Sequence, residues 1–373
     1  MENARVALVH DWLTGLRGGE KVLEVLAEIF PRAVIHTLLH IPGSQPKAIE
    51  NLEIRTAFIQ KLPFVRKKYR SYLPLFPLAV ELFDLQEFDL VVSSSHCVAK
   101  GAIPRPDALH VSYVHSPVRY AWNQYSAYFS STRLSPLGRW TIPPVIHYLR
   151  LWDVASSARV DHFAANSVNV ARRIEKYYRR PAEVVHPPVD TEFFTPGEDG
   201  RKDDYDLIVS ALVPYKRLDL AVAAYNKLGR RLVIVGTGPE SRRLRKAARS
   251  NIAFVDRVDD VELRRLYRGA RTFLLPGEED FGIAVLEAQA CGTPVVALGR
   301  GGALETVVPG ETGLLFNESS VAALLRVLDK FDGFAFNKAA ARSNAMKFSR
   351  QVFKEKMSGF LRAKWKAAGF ADR

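Results

Sequence analysis

The sequence predicts an α/β protein made of two doubly wound parallel sheets, and three observations carry that expectation. First, short β-branched runs ("RVALVH", "AVIHTLL", "DLVVSSS", "HVSYVH", "HFAANS") are separated by stretches with helical spacing. Runs apolar on both faces, with helices between them, indicate parallel strands. Second, the pattern restarts after about residue 196 with "DLIVSALV", "RRLVIVG", "IAFVDRV", "RTFLLPG" and "PVVALG". Third, the two sets are separated by "HPPVDTEFFTPGEDGRKDD" (186–204), rich in Pro, Gly and charge as a linker is. A chain of 373 residues also exceeds one small core. The expected domains are 1–196 and 197–349. The basic, amphipathic segment at about 350–373 is expected to form a helix that packs back on the first domain. In doubly wound sheets ligands bind beyond the carboxyl ends of the strands. Two such domains facing a central cleft would place the site there.

Composition narrows the function classes. With 47% hydrophobic and 25% charged residues the chain is not a disordered one. The net charge of +13 favours an anionic partner: nucleic acid, a membrane surface or a phosphorylated ligand. Cys97 and Cys291 stand alone, without CxxC spacing, which argues against a disulfide framework or a cysteine zinc site. The opening "MENARVALVHDWL" lacks a signal-peptide pattern, and no run of about 18 apolar residues occurs. The expectation is a cytoplasmic protein, attached peripherally to the inner face of the cytoplasmic membrane.

Four stretches carry candidate chemistry. In "GEEDFGIAVLEAQACGTPVVA" (277–297), Glu279 follows a strand, and Glu287 lies about one turn inside a helix that ends before Gly292 and Pro294. Gly282 between them lets a ligand approach the backbone, and the first helical N–H groups suit an anion. The carboxylates can accept hydrogen bonds from sugar or ribose hydroxyls; acids at a helix start also stabilise its dipole, by about 0.3–1 kcal/mol each. In "SALVPYKRLDLAV" (210–222), Lys216 and Arg217 sit at a strand-to-helix turn and suit a pyrophosphate, although a solvated turn uses the same residues. In "HDWLTGLRGGEKVLEVLAEIF" (10–30), Gly18 and Gly19 precede an amphipathic helix and permit close approach to a phosphate or sugar. In "HVSYVHSPVRY" (110–120), His115 ends a strand, placed to donate or polarise, or to serve as a structural histidine.

Taken together these stretches resemble the retaining family-4 glycosyltransferases of GT-B fold. Residues 279–287 look like the family's Glu-x7-Glu element. The Gly18-Gly19 loop, His115, "HPPVDTEFF", Lys216, "VGTGPE", "FVDRV" and "GGALETVVPGETGLLF" follow in the family's order. "VHDWL", "VHSPVRYAWNQY" and "SALVPYKRLDL" are similar to mannosyltransferases of O-antigen and exopolysaccharide assembly. The resemblance implies a hexose moved from a nucleotide-sugar, GDP-mannose being favoured, to a glycan or lipid-linked acceptor, with retention and without a metal or other cofactor. It assigns Glu279 to the sugar hydroxyls, with backbone groups of Phe281, Gly282 and Ile283 beside it, and Glu287 to the ribose. Lys216 is assigned to the diphosphate and the backbone of Arg257 and Val258 to the base. Gly18 and Gly19 would close on the donor, and His115 would stand beside the reacting sugar. One departure is Ala211, where many relatives carry an arginine; Arg217 is the expected replacement, pointing into the cleft.

Other readings compete. A UDP-sugar-dependent transferase of the same family would look alike at this level. A dinucleotide-dependent oxidoreductase would use Gly236-x-Gly238 and Asp256, but Ser241 stands where the third glycine belongs. Asp204-Tyr205-Asp206 has metal-transferase spacing, yet it precedes a strand rather than following one, and the nine histidines show no ligand-like clustering. Residues 55–80 contain six Lys or Arg and no acid, interleaved with Phe and Tyr. With 134–152 they suit an anionic membrane surface better than nucleic acid, for which no motif is present.

Overall fold

The computed structural model describes residues 1, 3–129, 135–197 and 203–370. Part of the expected linker, Leu134 and the last three residues lie outside them.

The chain divides into two compact units, Met1–Pro188 with the C-terminal segment from Gln351, and Val189–Arg350. The first holds a seven-stranded parallel sheet. Its strands are β1 (Val6–His10), β2 (Val34–Thr37), β3 (Glu53–Thr56), β4 (Leu90–Ser95), β5 (Leu109–Val114), β6 (His162–Ala165) and β7 (Ala182–Val184). Their spatial order is β3-β2-β1-β4-β5-β6-β7. The second unit holds six parallel strands, β8 (Asp206–Val209), β9 (Leu232–Val235), β10 (Ile252–Val255), β11 (Phe273–Leu275), β12 (Val295–Leu298) and β13 (Gly313–Phe316), ordered β10-β9-β8-β11-β12-β13. Both sheets are doubly wound, and in both the order reverses once: between β1 and β4, and between β8 and β11. Crevices for ligands form at such reversals, at the carboxyl ends of the strands.

Each sheet is covered on both faces. On the first, Leu8, Val92 and Val111 face the helix Gly18–Ile29, while Ala7, Val9 and Val91 face Phe76 and Val80. The helix Arg350–Ala367 joins this unit. It buries Phe353, Met357 and Leu361 in the same cluster as Leu8, and Lys354 pairs with Glu28 at 2.6 Å. The passage to the second unit comes earlier than residue 196. Val189 N–H donates to the Phe348 carbonyl at 2.8 Å, and Phe194 is buried against Tyr267, 5.7 Å between ring centres. Burial of the Phe194 ring, 1% exposed, in the second core is what draws this stretch across.

Candidate active site

In the second unit the reversal brings two loops together. After β8 the chain makes the short turn Pro214–Lys216. Arg217 then adopts a left-handed backbone, φ 53°, before the helix Leu218–Leu228. That conformation is uncommon for a side chain of this size. It turns successive residues apart: Lys216 lies inward, 9% exposed, and its ammonium pairs with the Glu279 carboxylate. Arg217 does not join them. Its guanidinium donates to Ser319 Oγ at 2.6 Å and to Asp219 at 3.3 Å, so the expected replacement for the missing arginine is committed elsewhere in this structure.

Glycines set the approach of these loops. A Cβ on Gly277 would lie 2.6 Å from the Lys216 carbonyl carbon, so the loop after β11 crosses Lys216 backbone to backbone. Gly302 N–H donates to the Glu279 carbonyl at 2.8 Å, and a Cβ on Gly302 would lie 2.2 Å from Phe281 Cα. Gly236 and Gly238 serve the same purpose against Ser210 and Leu212: Cβ atoms there would fall 2.0 and 2.4 Å from those carbonyl oxygens. The near dinucleotide fingerprint is thus a backbone crossing that supports the Lys216 loop. Asp256, its proposed ribose acid, is exposed and paired with Arg245 at 2.8 Å.

Gly282 has φ 98° and starts the helix Ile283–Ala290. Only glycine adopts this backbone without strain. The Phe281 side chain turns into an apolar cluster with Val189, Leu286 and Phe348, against which Ile283 packs. Glu287, 4% exposed, accepts a hydrogen bond from the Tyr267 hydroxyl at 3.0 Å. Burial, then the Glu287 charge, raises the Tyr267 pKa, which keeps that hydroxyl a donor. Arg257 and Val258 follow the edge strand β10, at the same carboxyl end of the sheet; Arg257 is exposed and Val258 packs on the core. Asp206 lies at the opposite end, held by Arg271 at 2.6 Å and by the Tyr225 hydroxyl at 2.5 Å, an internal anchor of β8.

The first unit presents its own polar cluster where β1 and β4 end. Gly18 and Gly19 open the helix Gly18–Ile29, and a Cβ on Gly19 would lie 3.4 Å from the His10 ring and 3.6 Å from His115 Nε2. The glycine loop therefore covers both imidazoles. Ser94 Oγ joins them, 3.1 Å from His10 Nδ1 and 2.8 Å from His115 Nε2. Burial, then the neighbouring histidines, holds His115 well below the ordinary imidazole pKa, so the ring is neutral at pH 7. Asp11, fully buried, accepts the N–H groups of His96, Cys97, Val98 and Ala99 at 2.6–2.9 Å and pairs with His96 Nδ1 at 3.0 Å. It fixes the loop after β4 on which His96 stands. His10, Asp11, Ser94 and His96 were not singled out from sequence. The signal for them is a pair of strand ends, "VHDW" and "SSSHC", that only the topology makes neighbours. Among the described residues no group of three or more His, Cys, Asp or Glu is placed to hold a metal ion.

Comparison with known proteins agrees with this arrangement. A model of Glycosyltransferase Family 4 matches residues 16–193, and one of Glycosyl transferases group 1 matches residues 190–332. A D-inositol 3-phosphate glycosyltransferase of Mycobacterium sp. (strain JLS) is 32% identical over 192 residues, 45% of this chain and 43% of the relative. A GDP-mannose-dependent alpha-(1-6)-phosphatidylinositol monomannoside mannosyltransferase of Mycolicibacterium smegmatis is 35% identical over 170 residues, 38% of this chain and 44% of that protein. The alignments thus span less than half the length of these relatives. Anabaena HepE, solved with UDP and glucose, superposes with a TM-score of 0.73 at 15% identity, over 96% of this chain and 100% of its own, a likeness of fold. With the two family models in succession over residues 16–332 and both doubly wound sheets in place, the chain belongs to the family-4 glycosyltransferases of GT-B fold.

Proposed function

We propose that the protein is a glycosyltransferase that moves a hexose, mannose from GDP-mannose in the favoured form, to a glycan or lipid-linked acceptor in cell-surface polysaccharide assembly. The transfer retains anomeric configuration and requires no metal. The protein is cytoplasmic and attaches to an anionic membrane surface through its first unit. The observation that carries this reading is the Lys216–Glu279 pair at the strand-order reversal of the second sheet. A cation suited to a diphosphate and a carboxylate suited to hydroxyls stand side by side at the carboxyl ends of β8 and β11. Membership of the family and the GDP-mannose-dependent relative support the same reading.

In this reading Lys216 neutralises the diphosphate as the bond from the sugar's anomeric carbon to phosphate breaks. The acceptor oxygen forms the new bond to that carbon, and its proton passes to the departing diphosphate. Glu279 orients the sugar through its hydroxyls, with backbone groups at Phe281, Gly282 and Ile283 beside it. Glu287 takes the ribose, and Arg257 and Val258 border the base. Gly18 and Gly19 admit the donor beside neutral His115, which donates or accepts a hydrogen bond and adds no charge. The protein's contribution is positioning and electrostatics, of which one stabiliser is worth about 10²–10³ in rate.

A thermal-shift panel of GDP, UDP, ADP and NAD, with GDP-mannose and UDP-glucose, each with and without EDTA, tests it. Stabilisation by GDP and GDP-mannose that EDTA leaves unchanged is expected. Stabilisation by UDP and UDP-glucose instead would reassign the donor, and stabilisation by NAD alone would overturn the reading.

A further inference from the structure

Large apolar side chains are unevenly spread over the surface. Among the described residues, eleven of the sixteen that stand exposed fall between Phe58 and Val154, all in the first unit. Scattered ones need no explanation, but a cluster does.

The helix Pro136–Ser157 is apolar on both sides. One stripe, with Ile146 and Leu149, is buried against Val118 and Ala121. The opposite stripe carries Leu137, Trp140, Tyr148 and Leu151, exposed by 73, 83, 45 and 60%. Their spacing keeps them on one side of a 3.6-residue helix. The helix's one acid, Asp153, is buried against Lys100 at 3.1 Å, so the outer stripe carries no negative charge.

A second segment lies beside it. Trp152 Nε1 donates to Glu81 at 2.8 Å, which fixes the helix Phe76–Glu81 against the longer one. Leu78 and Leu82 stand exposed here. Further back, Phe64 is 79% exposed and has a left-handed backbone, φ 54°. That conformation costs free energy for a bulky residue, and no burial in the folded protein offsets it. Lys61, Arg66, Lys67 and Lys68 flank the ring and are exposed. No acid occurs from Arg55 to Val80, and Glu81 is paired with Arg159 at 2.6 Å.

We propose that this face, the outer stripe of Pro136–Ser157 with the Phe58–Leu82 segment, seats the first unit on an anionic lipid surface. Trp140, Leu137 and Phe64 enter the boundary between headgroups and acyl chains, and Lys67 and Lys68 lie on the headgroups. Apolar side chains ringed by cations match that surface. A second copy of the chain would set these cations against their own kind, and a nucleic acid offers nothing to the exposed leucines. Among the described residues no helix is long and apolar enough to cross a membrane, so the helix lies on the surface. The proposal deepens the membrane attachment named above and rests on the first unit's surface, not on the transferase chemistry.

The test is co-sedimentation of the full chain, without donor sugar, with vesicles of phosphatidylcholine alone and of phosphatidylcholine with phosphatidylglycerol, at low and high salt. Binding to the anionic vesicles, weakened by salt, is expected. Arg66→Gln with Lys67→Gln and Lys68→Gln should lower partitioning on the order of 100-fold. Leu137→Ser with Trp140→Ser should also lower it, with donor-induced thermal shifts unchanged in both variants. The tryptophan emission should shift to the blue on binding in the parent and not in Trp140→Phe. No sedimentation with anionic vesicles at low salt, or equal binding by the parent and both variants, would overturn the proposal. So would self-association that these substitutions abolish in the absence of any vesicle binding. Failure of vesicle binding with donor shifts intact separates this inference from the transferase reading.

Discussion

Lys216 is nine-tenths buried, and Glu279 meets its charge. A diphosphate entering this site would compete with Glu279 for the same ammonium. Glu279→Gln should therefore leave GDP binding intact or tighter while lowering turnover of GDP-mannose. Glu279→Ala and Glu287→Ala should each lose roughly tenfold or more in donor use, since hydrogen bonds to charged groups contribute about 1.5–3 kcal/mol. Steady-state kinetics beside circular dichroism would check this; folded variants with parental kinetics would contradict it. Asp11 makes a different residue-scale prediction. Its carboxylate satisfies four backbone N–H groups, so Asp11→Ala leaves them unpaired in a buried place. It should cost about 3 kcal/mol or more in urea unfolding.

Elements set these side chains in place through close backbone crossings. Gly277 and Gly302 have no room for a Cβ, with backbone atoms at 2.6 and 2.2 Å from where it would stand. Gly277→Ala should displace the Lys216 turn, destabilise the second unit by about 1–3 kcal/mol and weaken nucleoside diphosphate binding. Unaltered binding of GDP by that variant would show that the crossing does not hold Lys216. The elements also explain what the sequence made legible. Each apolar run read from sequence became a strand, and all but the edge strand β10 lie inside a parallel sheet, where strands are buried on both faces. The strands it did not reveal, β3, β7 and β13, are all at sheet edges, where "EIRT" and "AEV" are short and half solvated. Lys216 and Glu279 were legible because each directly follows a recognisable strand. The partnership of His10 with Ser94 was not, because 84 residues separate them and only the adjacency of β1 and β4 joins them. The placing of Arg217 on Ser319 and Asp219 was not legible, because a left-handed backbone has no sequence signal outside glycine.

At the scale of the whole molecule, buried ionisable groups set the pH response. His10 and His110 have pKa values lowered to about 3, and His36 to about 4, each chiefly by burial. Below pH 6.5 the unfolded chain binds protons that the folded chain refuses, so stability is lost as the pH falls from about 6.5 toward 4. Glu20 acts in the opposite sense. Burial raises it from 4.5 to about 7, so its protonated form favours folding, and stability is lost as the pH rises through that window. His96, His115 and His162 are lowered as well, chiefly by burial, so six histidines against one glutamate give a net loss on acidification. Urea midpoints at pH 7.5 and pH 5 should show it, and Glu20→Gln should steepen it; a higher midpoint at pH 5 would contradict the balance. Donor binding by the whole protein depends on the second unit's Lys216 in the proposed reading. The most direct test is calorimetric titration of GDP-mannose into the parent, Lys216→Ala and Arg217→Ala, with EDTA present. Saturable binding by the parent, loss of roughly tenfold or more in Lys216→Ala, and near-parental affinity in Arg217→Ala are expected. Equal affinity in the parent and Lys216→Ala would contradict that dependence.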